Sequence, residues 1–481
     1  MKLKKLLLDI PSIEVRGSKE VEIKGLCNNS KIAAPGDLFF AKKGFTQSGA
    51  EFAKEAILSG AVAIVTDFYD PFLQNVVQVI CSDVSFLESL LAKRFYQDPS
   101  KDLFLVGITG TNGKTTCSYL IKYLLDSLEM PCGLIGTIEW IIKNKVYPSR
   151  YTTPDILTNQ KLLHEMVASG CLASVMEVSS HGLDQGRVSG LAFSAAVFTN
   201  LTQDHLDYHK TMEEYGKAKA RLFSSLSKTK VAIVNADSFW TSTMIKECSC
   251  SILTYGFSKE ADLRAEELTL SAQGSRCFIC YKEERVPFFS SLVGKFNMYN
   301  LLAAIAVGIS LGKELQKILS ILSSFIAVQG RLERVENSSS KNIFVDYAHT
   351  EDALQNTLST LRELSKGKLI CVFGCGGNRD KEKRPKMGAV AVELADEVFV
   401  TSDNPRGEVP ETIIAEILAG IPTLDKVRVE VDRKIAIEKA IEVLGPQDIL
   451  LIAGKGHENT QIFIDHAIHF DDRIVAKAYC K

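Results

Sequence analysis

No stretch of this 481-residue chain reaches the roughly 18 consecutive apolar residues that a membrane-crossing helix needs. The nearest, residues 301–312 (LLAAIAVGISLG), reads as a buried helix, so no membrane span is expected. Charge of one sign is also missing. Lys and Arg number 56 against 58 Asp and Glu, a formal net charge of −2, which leaves no bulk positive field for nucleic acid or anionic lipid. Any anion must therefore be held locally, by particular residues. The opening MKLKKLLLDIPS has only three leucines in a row before Asp9, too short for the apolar region of an export signal. A cytoplasmic location is the expectation.

What is present describes an ordinary folded chain. Hydrophobic residues make up 46% and charged residues 24%, which excludes disorder, collagen and coiled coil as the bulk state. The length predicts two or three domains. Twelve cysteines are scattered without the regular spacing of a small disulfide scaffold, which favours a reducing compartment. Cys248, Cys250, Cys277 and Cys280 form a CxC followed by a CxxC, in principle a zinc cage. Cys277 and Cys280, however, sit in SRCFICYK, whose alternation reads as a strand, and no His flanks them, so the structural reading is preferred.

Pattern changes divide the chain. Residues 1–98 carry short β-rich runs (AVAIVTD, NVVQVICSD) and end in a helical LESLLAKRFYQ closed by DPS, placing a boundary near Pro99. From Leu103 the pattern becomes strand, glycine loop, helix, and apolar strands recur at ASVMEV, FSAAVFTNL, VAIVNADS and SILTYGF with helical segments between. That alternation predicts a mainly parallel sheet flanked by helices. A polar stretch at 330–342 interrupts it. A second set of strands (IFVDYAH, KLICVFG, ADEVFVTSD, DILLIAGKG) then predicts a smaller α/β domain. The expected domains are 1–98, 99–330 and 331–481.

Gly110-Thr111-Asn112-Gly113-Lys114-Thr115-Thr116 lies between an apolar strand and a helix, where backbone N–H groups can cradle phosphate oxygens. In this role Lys114 neutralises the β- and γ-phosphates and Thr115 offers its hydroxyl to Mg²⁺. The strict phosphate-loop pattern requires glycine where Ile108 stands, so the loop is a variant, yet ATP binding is the prediction. The loop alone does not choose between kinase, motor, switch and ligase. Glu177 ends the strand VMEV ahead of Ser179, Ser180 and His181, at the carboxyl edge where open α/β sheets bind ligands. Asp204, His205, Asp207 and His209 crowd the end of another strand, which points to a metal or phosphate role. Lys219 and Arg221 fall on a helical stretch where, taken alone, a solvated basic face is the better reading.

Beyond these residues the chain resembles a known family. GTNGKTT, TTPD (152–155), MEVSSHGL (176–183), QGRV (185–188), TNLTQDHLDYH (199–209), YGKAKARLF (215–223), GKFNMYN (294–300), QGRLE (329–333), VDYAHT (345–350), GGNRDKEKRPKMG (376–388), SDNPRGE (402–408) and GKGHE (454–458) resemble, in order, the motifs of the ATP-dependent Mur ligases. The likeness spans nearly the whole chain and is greatest to the type that adds 2,6-diaminopimelate in peptidoglycan precursor synthesis. It implies a three-domain α/β architecture: an N-terminal uridine-nucleotide domain, a central ATPase domain and a C-terminal Rossmann-like domain that receives the amino acid. It also implies a reaction, in which ATP activates the D-Glu carboxylate of UDP-MurNAc-L-Ala-D-Glu as an acyl phosphate and the amine of meso-diaminopimelate displaces phosphate. The small-molecule substrates, ATP and Mg²⁺ are then the expected partners, and a monomer the expected state.

The same resemblance implies roles. Gly110 to Thr116 form the ATP loop, with Asn300, Arg331 and Asp346 around the nucleotide and His349 near them. Thr115, Glu177 and His205 surround the metal, and Lys219 matches a lysine that the family carbamylates, which reverses the unaided reading. Thr152, Thr153, Ser179, Gln185 and Arg187 hold the muramoyl peptide. Ser30 and the turn Phe45-Thr46-Gln47 match the uracil segment, although Asn29 and Lys31 replace the usual Asp and Arg and Phe45 stands where His is frequent. Arg379, Asp403, Asn404, Pro405, Arg406, Gly454 and Glu458 match the amino-acid site. A guanidinium at Arg406 would bind the distal carboxylate of diaminopimelate in bidentate fashion and repel the ammonium of lysine. Glu458 and the Gly454 carbonyl would take the distal ammonium.

FGCGGNRD is not a dinucleotide loop: its third glycine position is Arg379, and no acidic ribose partner follows at a strand end about 20 residues on. The remaining rivals are a lysine-adding or folate-type ligase of the same architecture and an ATP-driven switch or phosphotransferase that makes no amide.

Overall fold

The computed structural model describes residues 1–42 and 49–480. Phe45, Thr46 and Gln47, expected at the uracil, lie outside the described residues. The chain forms two compact units, Met1–Asp262 with Ala306–Gly312, and Leu263–Ile305 with Lys313–Lys481.

The first unit holds two sheets. The N-terminal one has five strands in the order Glu14–Arg16, Val77–Ile80, Ala63–Thr66, Asp37–Phe40, Gly25–Cys27, parallel except for the first pair. The helix Val84–Phe95 follows, capped by Asp83, and a 3-10 turn at Pro99–Lys101 leads out. Within this unit the second sheet runs Ser251–Gly256, Val231–Asn235, Ala195–Phe198, Phe104–Thr109, Ala173–Glu177, Cys132–Ile135, all parallel. Two antiparallel strands, Glu139–Ile142 and Lys145–Pro148, extend its edge. The strand Phe104–Thr109 sits between Ala173–Glu177 and Ala195–Phe198, so the loops after these three strands meet at one carboxyl edge.

The second unit starts with an antiparallel meander, Leu263–Ser271, Gly274–Tyr281 and Glu284–Ser290. Only the middle strand, the one containing Cys277 and Cys280, is among those expected above. The outer two alternate buried and exposed positions over part of their length, the mark of an antiparallel sheet with one wet face. A six-stranded sheet follows in the order Glu333–Arg334, Asn342–Asp346, Ile449–Ala453, Leu369–Phe373, Glu397–Val400, Val427–Val429. Its inner strands are buried on both faces. Phe344, Cys371, Phe373, Val398 and Leu451 pack with helices Glu351–Leu364, Lys383–Leu394 and Pro410–Leu418, while Ile343, Val345, Val372, Phe399 and Ile452 pack with Arg433–Glu442 and Asp472–Tyr479. Continuous apolar runs such as LICVF and ILLIA are what such doubly covered parallel strands require. Residues 301–307 are buried within the helix Lys295–Ser310, as the apolar run predicts.

Candidate functional site

The glycine loop joins Phe104–Thr109 to the helix Lys114–Ser127. Gly110 has φ +150°, and a Cβ there would overlap the Thr199 hydroxyl, so only glycine lets the two strand ends approach this closely. Gly113 (φ +85°) caps the helix, whose first N–H groups face the loop. Lys114 Nζ donates to the carbonyls of Gly110 and Thr111, both at 2.8 Å, curling the cation over the loop where phosphate charge would lie. Asn112 N–H donates to Asn200 Oδ1 (3.0 Å), and the Thr199 hydroxyl donates to the Asn112 carbonyl (2.7 Å), pinning the loop to the next strand. Thr116 is buried in the first turn of the helix.

Glu177, fully buried at the end of its strand, organises the oxygen atoms beside the loop. Its carboxylate accepts from the Thr115 hydroxyl at 3.1 Å, the Thr137 N–H at 3.0 Å and the Thr137 hydroxyl at 2.8 Å. The Thr137 hydroxyl, its proton on Glu177, accepts from the Thr152 hydroxyl at 3.1 Å. These are hard oxygen donors of the kind Mg²⁺ takes. Among the described residues no group of three or more His, Cys, Asp or Glu is placed to hold a metal ion by itself, so this set suits an ion that keeps waters and phosphate oxygens as its other ligands.

Lys219 is 1% exposed and its Nζ donates to the Gly110 carbonyl at 2.9 Å, so the solvated-face reading is overturned for Lys219 and holds for Arg221. The reason is periodicity: Tyr215, Lys219 and Leu222 share the buried stripe of Met212–Ser224, whereas Arg221 faces out. Burial, reinforced by the nearby Lys114 charge, holds the Lys219 amine well below the usual lysine range. Its Nζ lies 4.5 Å from the Tyr215 ring centre. His205 stands on a left-handed residue (φ 54°), half-exposed, with its ring 4.8 Å from His181 and 6.1 Å from Tyr215. Burial, with smaller contributions from Lys114 and Lys219, lowers its pKa.

On the neighbouring loops the Thr153 hydroxyl donates to the Glu177 carbonyl (3.0 Å) and accepts from Ser179 N–H (2.9 Å), joining TTPD to MEVSS. The Arg187 guanidinium bonds Gln185 Oε1 (2.6 Å) and the Thr153 carbonyl (2.8 Å), so Thr153, Ser179, Gln185 and Arg187 form one network. Asp155 caps Ile156–Ala168 and also accepts from Asn28 Nδ2 at 3.3 Å. Asn28 bonds buried Glu88 (2.9 Å), and Glu88 pairs with Lys42 (2.6 Å), linking the N-terminal sheet to the TTPD loop. Ser30 is buried, its hydroxyl donating to Glu55 at 2.5 Å.

In the second unit the loops after the parallel strands gather Asp403, Asn404, Pro405, Arg406, Gly454 and Glu458. Asn404 Nδ2 donates to Glu458 Oε2 at 2.7 Å, and buried Lys455 bonds Asn404 Oδ1 (3.1 Å), Glu458 Oε2 (3.3 Å) and the Thr460 carbonyl (2.6 Å). Gly454 (φ +111°) is required, since a Cβ would stand 2.6 Å from Asp403 Oδ2. Arg406 takes a left-handed backbone (φ 51°) and its guanidinium donates to the Gly377 carbonyl at 3.1 Å. Arg379, exposed, donates to the Asn378 carbonyl at 3.3 Å. Asp346 accepts from the N–H groups of Leu332 (2.5 Å) and Ala348 (2.8 Å); burial raises its pKa, against which Arg331 and these bonds act. The Arg331 guanidinium lies 4.9 Å from the Tyr347 ring centre, and the Tyr347 ring meets the His349 ring at 4.6 Å with the planes tilted by 57°. Asn300 Nδ2 donates to Asn297 Oδ1 at 3.2 Å within its helix.

Three family profiles match the chain: the Mur ligase middle domain over residues 108–308, the Mur ligase glutamate ligase domain over 330–456, and the Mur ligase family catalytic domain over 22–88. A relative from Chlamydia felis, named UDP-N-acetylmuramoyl-L-alanyl-D-glutamate--2,6-diaminopimelate ligase, is 45% identical over 99% of this chain and 98% of its own. A relative of the same name from Gloeobacter violaceus is 45% identical over 98% and 96%. The chain belongs to the Mur ligase family. A solved structure of a ligase of that name superposes with a TM-score of 0.74 at 34% identity, covering 100% of this chain and 98% of the other. A MurF structure from Acinetobacter baumannii, at 18% identity and a TM-score of 0.62, covers 90% of each chain and shares the fold.

In this Mur ligase the three-domain α/β architecture is therefore as expected. Sequence reasoning passed over Thr137, which makes two of the three bonds described to the Glu177 carboxylate, and Lys455, which ties Asn404 to Glu458. Neither carried a local signal beyond its place in a loop, although Lys455 stands inside GKGHE. It also passed over Asn28, Lys42 and Glu88, whose partners lie 46 to 127 residues away.

Proposed function

We propose that this Mur ligase joins meso-2,6-diaminopimelate to the D-Glu carboxylate of UDP-MurNAc-L-Ala-D-Glu at the expense of ATP, with domains 1–98, 99–330 and 331–481 receiving uridine nucleotide, ATP and amino acid. The observation that carries the choice of amino acid is the Asp403–Arg406 turn: it sets a guanidinium in one loop cluster with the Asn404–Glu458 pair, so an anion-binding and a cation-binding group stand together. A diamino diacid offers both charges, whereas lysine lacks the distal anion.

The chemistry follows from the groups present. The Gly110–Thr116 backbone and Lys114 bind and orient the triphosphate, directing its terminal phosphoryl group in line with the acceptor carboxylate. Thr153, Ser179, Gln185 and Arg187 position the muramoyl peptide. The carboxylate oxygen takes the phosphoryl group and ADP leaves; the incoming amine then attacks the carbonyl carbon, loses a proton, and phosphate departs as the amide forms. Thr115 and Glu177, with His205 and a carbamylated Lys219, are the residues that would hold Mg²⁺. That ion supplies positive charge against the gathered phosphate and carboxylate oxygens. A lysine held neutral by burial is the form that reacts with CO₂, since its free lone pair attacks carbon and a proton is released.

Phosphate release with UDP-MurNAc-L-Ala-D-Glu, measured with diaminopimelate, with lysine and with neither, tests this reading. Release only with diaminopimelate is expected. Release indifferent to the amino acid supports a switch, and release with lysine alone overturns the specificity. Arg406→Ala should weaken diaminopimelate use by roughly 2–5 kcal/mol while sparing ATP.

A further inference from the structure

Ten of the twelve cysteines are buried and two are half-exposed, and those two, Cys248 and Cys250, are each other's neighbours. Their sulfur atoms lie 3.1 Å apart. Cys248 closes the turn after the helix Thr241–Ile245, its N–H donating to the Ile245 carbonyl at 3.0 Å. Cys250 immediately precedes the strand Ser251–Gly256, whose first N–H is fixed to the Lys230 carbonyl at 3.2 Å. Both flanks of the pair are thus anchored, and the thiols stay face to face.

A disulfide places its sulfurs about 2.05 Å apart, so bond formation asks for a movement of about 1 Å by side chains that already touch. Metal binding fits less well. A thiolate pair supplies half of a tetrahedral zinc shell, and among the described residues no group of three or more His, Cys, Asp or Glu is placed to hold a metal ion. A bridge between residues two apart closes a very short loop. It gains little from loop entropy and is strained, which puts it with the labile disulfides and not with structural ones.

We propose that Cys248 and Cys250 are a reversible oxidation site, a dithiol that a low-molecular-weight disulfide converts to an intramolecular disulfide. The Cys248 thiolate attacks one sulfur of the external disulfide and expels one thiolate, leaving a mixed disulfide on Cys248. Cys250 then attacks Cys248 Sγ and expels the second. The two cysteine protons end on the two released thiols, so both cysteine sulfurs are oxidised and one external disulfide is reduced. The order follows from the surroundings: the Cys250 thiol donates to the Ser251 carbonyl at 3.4 Å and burial raises its pKa, which makes it the poorer first attacker. The site is independent of the ligase reading.

The test uses the full-length protein, equilibrated across a series of reduced-to-oxidised glutathione ratios, quenched with an alkylating agent and analysed by peptide mass. The expected result is a 248–250 peptide lighter by two hydrogen atoms at the oxidising end, returned to two alkylated cysteines by dithiothreitol. Cys250→Ser should instead retain glutathione on Cys248. Alkylation of both thiols throughout the series, a glutathione adduct that persists on the unmutated pair, or a bridge from either residue to another cysteine would each overturn the proposal.

Discussion

Lys455 Nζ lies 3.3 Å from Glu458 Oε2, with the lysine wholly buried and Asn404 bonded to both. The bonds from Asn404 and Lys455 both land on Oε2, so on the proposed reading Oε1 would meet the incoming ammonium. Lys455→Met should therefore let the carboxylate turn. A lost charge-assisted bond of about 1.5–3 kcal/mol corresponds to roughly a 10- to 100-fold rise in KM for diaminopimelate. Steady-state kinetics with each substrate varied decide the matter: an equal rise in KM for ATP would make Lys455 a general structural residue.

Lys219 donates to the Gly110 carbonyl from a fully buried position beside Lys114. Lys219→Ala should abolish turnover, with partial recovery on adding a small carboxylate such as formate. Absence of rescue, together with an unmodified mass for this lysine in the native protein, would rule against carbamylation.

Arg433 and Asp472 are both without solvent exposure and share two bonds of 2.8 Å, and the guanidinium also donates to the Ala453 carbonyl at 2.9 Å. Removing one partner strands a buried charge, so Asp472→Ala should cost about 3–5 kcal/mol. The apolar pair Arg433→Met with Asp472→Leu should recover much of it. Urea unfolding of the three proteins measures this, and a single variant as stable as the parent would show that water reaches the arginine.

His457 is pushed down to about 4, first by burial and then by Arg331 and Arg473. An unfolded histidine titrates near 6.5, so between about pH 6.5 and 4 the unfolded chain binds the extra proton and the folded one does not. Stability is therefore lost as the pH falls through that window. His457→Gln should lose less melting temperature than the parent between pH 7 and pH 5. Identical acid losses would place the titration elsewhere.

Much of this Mur ligase is legible locally. Gly110–Thr116 declares a phosphate cradle because its glycines, lysine and flanking strand and helix are contiguous. The parallel strands declare themselves because burial on both faces demands unbroken apolar runs such as LICVF. The burial of Lys219 was also written in its spacing from Tyr215 and Leu222, although its charge argued the other way. The antiparallel strands Leu263–Ser271 and Glu284–Ser290 were hidden, because their alternation is mixed with charge.

The sequence by itself determined the α/β class, the glycine loop, the apolar strands and the ordered motifs that mark the family, all of them encoded in neighbouring residues. Only the tertiary structure decided that Thr137 clamps Glu177 across 40 residues, that Asn28 reaches Asp155 across 127, and that Lys455 joins Asn404 to Glu458 across 51 and 3. Such pairs have no period and no signature. A hydroxyl, an amide or an ammonium acquires its partner only when packing has removed the water that would otherwise satisfy it.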